Sequence, residues 1–203
     1  MAARLILFSA ALLACAVPVT TRTTDTQKRF VIRRVALIPF ETGMPFAAAE
    51  NSADWDAATR FVGATLFEAL REHTDFDLVP PAQAGPHRVA GVDRGDDTEN
   101  IQRAHHVDGA LFGTLRRWRV KEGGARGAHR PAAAAFDVEL RGPGGLILWT
   151  GTYDEEQQPL SKDLLSFGRA RSRGFKFVPV EELARYGAGH LAEELADASD
   201  RWR

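Results

Sequence analysis

The chain has 203 residues, 44% of them hydrophobic, and a formal charge of −1. That composition supplies enough apolar surface for one self-sufficient core, so neither a disulfide framework nor a structural metal is needed to hold the fold. A nearly balanced charge excludes the broad positive field that gathers nucleic acid, and a single cysteine excludes an internal disulfide.

The N-terminal stretch carries Arg4 followed by an apolar run from Leu5 to Leu13, which fits the charged and hydrophobic regions of an export signal. A membrane span needs roughly 20 apolar residues, so the run is too short to be one. It ends in Leu12-Leu13-Ala14-Cys15, which resembles the bacterial lipobox, where a peptidase cuts before a cysteine whose thiol has been acylated. The resemblance implies a signal peptide over 1–14, acyl chains on Cys15 and attachment to a bilayer. Ala16, in place of an aspartate, resembles the sorting rule that sends such lipoproteins to the outer membrane, with the domain facing the periplasm. Residues 15–29 are rich in threonine and charge and lack an apolar period, so they are expected to form a flexible tether. Residues 30–203 are expected to form one domain.

Within that domain, Val31 to Phe40 becomes continuously apolar from Val35, the pattern of a strand covered on both faces, and Pro39 ends it. A helix follows from about Ser52, with Trp55, Thr59, Val62, Leu66, Leu70 and His73 at spacings of three and four. Phe76 to Val79 reads as a second strand, which completes a β-α-β unit. Residues 82–97 offer no core-facing period and read as a surface loop. A short helix is expected from Thr98 to His106, with Asp96, Asp97 and Glu99 at its N-terminus, where the helix dipole favours negative charge.

The second half reads as three strands, Asp108–Lys121, Phe136–Arg141 and Leu146–Tyr153, joined by glycine-rich hairpins. A tight turn at Pro143-Gly144 would set Val138 opposite Trp149 and Leu140 opposite Ile147, with Asp137 and Glu139 on the wetter face. The polar run after Tyr153 leaves the sheet, an amphipathic piece spans Leu160 to Phe167, and a basic loop follows. Pro179 opens the last helix, whose stripe is Leu183, Gly187, Leu191 and Leu195. The fold class is thus α/β (α+β): a single mixed sheet with a β-α-β start, an antiparallel C-terminal meander and flanking helices.

Chemistry-bearing motifs are sparse. His105-His106 are neighbours whose side chains point about 100° apart on a helix, a poor grip for one ion. Asp93 to Glu99 lacks the residue order of a calcium loop, so it reads as an acidic cap. Arg116-Arg117-Trp118-Arg119 mixes basic and aromatic residues, but alternation separates Trp118 from Arg117 and Arg119, so stacking and phosphate contacts fall on opposite faces. No nucleophile elbow or phosphate loop is present, which leaves no catalytic residue, metal or cofactor to assign. The remaining enzymatic alternative is an envelope hydrolase using carboxylates near Asp154. For partner binding, the expected surface is Leu164 and Phe167 with Arg169, Arg171 and Arg173, apolar anchors beside a charged rim.

Three stretches, Arg34-Val-Ala-Leu-Ile-Pro-Phe40, Asp108-Gly-Ala-Leu-Phe-Gly-Thr114 and Gly145-Leu-Ile-Leu-Trp-Thr-Gly151, together resemble a group of envelope lipoproteins. The group shares the fold of the TolB N-terminal domain, the curli-secretion lipoprotein and the lipoprotein activator of penicillin-binding proteins. Gly151 to Ser161 further resembles uncharacterised lipoproteins of deltaproteobacteria. The resemblance implies a protein-binding or assembly module whose partners are the bilayer, other envelope proteins and, compatibly, further copies of itself. It supplies no catalytic residue. No amphipathic segment suited to the curli-secretion protein's transmembrane barrel is evident.

Overall fold

The structure is a computed structural model and describes residues 18–25, 30–43, 54–84, 94–124, 127–157 and 178–202. Cys15, Leu164, Phe167, Arg169, Arg171 and Arg173 lie outside the described residues.

The apolar run after Arg33 forms β2 (Arg34–Leu37), preceded by β1 (Val19–Thr23) and followed by β3 (Glu41–Thr42). Helix α1 (Trp55–His73) starts where the Asp54 carboxylate accepts from the Ala57 N–H at 2.8 Å, satisfying one of the free donors of the first turn. Its stripe buries Thr59, Val62, Leu66 and Leu70 as the spacing predicts, while His73 stays in solvent. Strand β4 (Asp77–Val79) then pairs parallel to β2, which completes the β-α-β unit.

Next come α2 (Pro81–Ala84), α3 (Arg94–His105) and β5 (Gly109–Arg119). Helix α3 starts at Arg94, not near Thr98. Asp97 therefore sits within the helix, 1% exposed, instead of at an exposed cap. Neither of its carboxylate oxygens has a hydrogen-bond partner among the described residues.

Strands β6 (Glu122–Gly124) and β7 (Gly127–Arg130) pair with each other as a separate two-stranded sheet among the described residues. Strands β8 (Ala133–Arg141) and β9 (Ile147–Glu156) lead to α4 (Val180–Ser199), with Pro179 at its N-cap position.

Among the described residues one mixed sheet of seven strands forms, ordered β1-β9-β8-β5-β2-β4, with β3 pairing β5 beyond β2. Strand β2 lies parallel to both neighbours and its Val35, Ala36 and Leu37 are fully buried, as expected of a two-sided strand. One face of the sheet carries α1 and α4, packed on each other, over a core that includes Leu111, Leu115, Phe136, Leu140, Trp149 and Tyr153. Among the described residues the other face is covered by α2 and α3 near β2, β4 and the start of β5, where Ala36, Ile38, Ile101, Ala110 and Phe112 cluster.

Three expectations need correction. Residues 15–29 are not a tether throughout, because β1 pairs antiparallel with β9, Val19 opposite Tyr153 and Thr23 opposite Trp149. Threonine is β-branched and suits a pleated edge, and one partly buried residue, Val19, is enough to tie that edge to the core. The β8–β9 register is shifted by two residues: Leu140 faces Trp149, Val138 faces Gly151 and Arg141 faces Ile147. The connection is a 3₁₀ turn at Pro143–Gly145, with φ of 69° at Gly144 and 68° at Gly145, and not a two-residue turn. Strand β9 also runs on past Tyr153 to Glu156, so the acidic residues stay in the sheet.

Candidate functional site

Alternation along β5, β8 and β9 sends their polar residues to the face away from α1 and α4. Register then aligns them in rows across the strands. One row reads Thr20, Thr152, Asp137, Thr114 and Glu41; the next reads Arg22, Thr150, Glu139 and Phe112. Toward the C-terminal end of β9, further rows join Asp154 to Ala135 and Arg117, and Glu156 to Ala133 and Arg119.

Strict alternation from Thr114 and Leu115 would put Arg117 in the core and Trp118 on the polar face. A bulge between Leu115 and Arg117 prevents this by adding one residue to β5. Leu115 and Trp118 thereby both reach the core, and Arg116 and Arg117 both reach the polar face. Trp118 is 6% exposed, 5.8 Å from the Phe61 ring, so it is unavailable for base stacking.

The three arginines of β5 are all ion-paired. Arg116 pairs with Asp137 at 2.7 Å and with Asp154 at 3.7 Å. Arg117 pairs with Asp154 at 3.0 Å and Glu156 at 3.9 Å, and Arg119 with Glu156 at 2.6 Å while its Nε donates to the Pro131 carbonyl. The result is a ladder of alternating sign across three strands, each side chain partly screened from water.

Above the central rows lies a shallow depression of about 350 Å³, lined by Arg94, Phe112, Thr114, Asp137, Glu139 and Thr150 among others. Arg94 reaches over from α3, donating to Thr114 Oγ1 at 2.9 Å, pairing with Glu41 at 3.4 Å and lying 5.7 Å from the Phe112 ring centre. Thr152 donates to Asp137 at 2.8 Å, and Arg141 pairs with Glu139.

Among the described residues Glu41, Asp137, Glu139 and Asp154 each accept from a guanidinium or a hydroxyl, and Glu156 is ion-paired. Asp154 is held by two arginines, and Glu155, on the core side, accepts from the Tyr153 hydroxyl at 2.8 Å. Neither lines the depression. Among the described residues no cluster of three or more His, Cys, Asp or Glu is placed to hold a metal ion, and no helix is long and apolar enough to cross a membrane. His105 closes α3, and His106, at φ 51°, turns the chain out of it.

Sequence reasoning placed Asp137 and Glu139 on the wetter face and Arg117 opposite Trp118. It missed Arg94, read as loop, and the assembly of Thr114, Thr150 and Thr152, which depends on register between strands.

The mixed sheet with helices on both faces defines an α+β fold shared with known proteins. No family model and no curated protein matches the chain. Among solved structures, the PelC dodecamer from Paraburkholderia phytofirmans superposes with a TM-score of 0.51 at 15% identity, over 87% of this chain and 98% of that one. Lipoprotein GNA1162 from Neisseria meningitidis matches at a TM-score of 0.42 and 13% identity, over 70% and 94% of the two chains. The LpoB C-terminal domain from Salmonella enterica matches at 0.38 and 20%, over 63% and 85%. The likeness to PelC establishes the fold.

Proposed function

We propose that this protein is an envelope lipoprotein, acylated at Cys15 and set in the outer membrane, that acts by binding other proteins and further copies of itself instead of turning over a substrate. The observation that carries this reading is the paired-charge face: Arg116, Arg117 and Arg119 against Asp137, Asp154 and Glu156. Ion pairs of fixed geometry on a sheet discriminate between partners by charge and register. Two further facts support it. Leu12-Leu13-Ala14-Cys15 has the form of a lipobox, and the fold is that of PelC, solved as a dodecamer.

The test is photocrosslinking in the source cell from a reactive residue at Thr150 on the polar face, with His73 on the far helix as control. A discrete crosslinked species from Thr150 alone, identified by mass spectrometry as an envelope protein or a second copy, is the expected result. Equal or absent crosslinking from both positions would refute the reading.

A further inference from the structure

Resting on the acylation of Cys15 proposed above, we infer that the domain is held upright against an anionic bilayer, with the sheet end that carries Val19, Val120 and the β6–β7 ladder on the headgroups. The argument begins with covalent reach. Consecutive Cα atoms are 3.8 Å apart, so Cys15 lies no more than about 11 Å from Pro18 by whatever path the chain takes. Pro18 is itself pinned to the sheet, its carbonyl accepting from the Asp154 N–H at 3.1 Å. Strand β1 starts at the next residue and runs along β9 toward Trp149. A lipid on Cys15 therefore brings one particular corner of the domain to the bilayer.

Two surfaces meet at that corner, and charge separates them. The first is the β1 edge with α4, where Thr21 donates to Glu194 at 3.2 Å and Glu193, Glu194 and Asp197 are exposed. Anionic lipids repel such a surface. The second is the end of the sheet, where β5 and β9 finish and the β6–β7 ladder begins. There Val120 is 52% exposed, one of the few large apolar side chains in solvent among the described residues, between Arg119 and Lys121, and Arg130 stands across from Glu122. The basic residues here are balanced by acidic partners, Arg119 by Glu156 and Arg130 by Glu122, so this end does not repel anionic headgroups as the first surface does, and its exposed apolar side chain can enter the headgroup boundary. The strands then stand away from the membrane. Strand β5 spans about 33 Å between its ends at 3.3 Å per residue, which puts Val31, 53% exposed beyond the far end, well clear of the lipid. The polar face stands upright, turned toward neighbours in the plane of the membrane.

The experiment attaches an environment-sensitive fluorophore to Val120→Cys, Val31→Cys or Glu193→Cys in the acylated full-length product, reconstituted in phosphatidylethanolamine–phosphatidylglycerol vesicles that carry a headgroup quencher. Cys15 does not compete for label because its sulfur is already alkylated. The expected result is a blue shift and several-fold stronger quenching at position 120 than at 31 or 193. Lys121→Cys is the alternative position should Val120→Cys lower the melting temperature. Quenching that is greatest at 193 would mean an edge-on domain, and none at any position a domain standing off the bilayer; either overturns the inference while acylation stands. Intact mass of the same samples separates the two claims, since an N-terminus without acyl chains removes both.

Discussion

Gly187 in α4 lies so close to the ring of Tyr153 in β9 that a Cβ on the glycine would come within 2.5 Å of ring carbons. Glycine inside a helix costs about 1 kcal/mol relative to alanine, so helix propensity alone argues for replacing it. The contact argues the other way: Tyr153 is fully buried, flanked by Phe136 at 5.2 Å and anchored through its hydroxyl to Glu155. Overpacking a core position costs about 1–3 kcal/mol, so Gly187→Ala is expected to destabilise despite its better propensity. Gly189, two residues on, has open space around it, and Gly189→Ala should stabilise by about 0.5–1 kcal/mol. Urea unfolding of the two variants checks this. Stabilisation by both would mean that α4 does not sit on β9 as described.

Trp149 tests the strand register. It is 1% exposed, opposite Leu140 on β8 and Thr23 on β1. Trp149→Ala should cost about 3–5 kcal/mol, the range for truncating a large buried aromatic side chain. An unchanged thermal midpoint would remove Trp149 from the core.

Strand β1 makes a sharper test, because it separates a paired edge from a tether. The Asp154 N–H donates to the Pro18 carbonyl and the Thr24 N–H to the Leu148 carbonyl. Antiparallel ladders alternate, so Thr20 and Arg22 also face β9 with their N–H groups, whereas the Thr21 N–H points to the open edge. Proline at 22 removes a ladder hydrogen bond, and at 21 it removes none. Arg22→Pro is expected to be less stable than Thr21→Pro by about 1–2 kcal/mol. Equal melting temperatures for the two would return the segment to tether.

The parts of this fold that were legible from sequence share a cause: their signal lies within one element. Val35 to Leu37 is apolar because both its faces are covered, and α1 keeps its stripe because one face is. Val138 and Leu140 were assigned the right face although their partners were wrong, since a slip of two residues preserves the side of the sheet. What stayed hidden depends on relations between elements. Arg117 reaches the polar face only through a bulge, Thr114 meets Asp137 only through register, and Arg94 joins that face from a helix whose start was read as loop. Strand β1 hid for another reason: an edge strand needs one apolar contact, and Val19 supplies it amid threonines that read equally well as linker.

Asp154 is where a binding surface and a hydrolase part company. Its carboxylate sits between Arg116 and Arg117, with side chains 26–40% exposed, so water screens the pairs and each is worth about 0.2–1 kcal/mol. Asp154→Asn keeps the shape and removes the charge, while Arg116 retains Asp137 and Arg117 retains Glu156. The expected loss of stability is therefore small, below about 1 kcal/mol, and smaller still in high salt as screening grows. Asp154→Arg differs in kind, because it places a third guanidinium beside two that have lost a partner. Like charges in contact repel, so this variant should fold with a lower melting temperature and lose the Thr150 crosslink, whereas Asp154→Asn should only weaken it. A hydrolase would order the variants otherwise: the asparagine, unable to give or take a proton, would abolish turnover as fully as the arginine. Crosslink yield that falls in step with charge supports the assembly reading, and a loss equally complete in both variants would count against it.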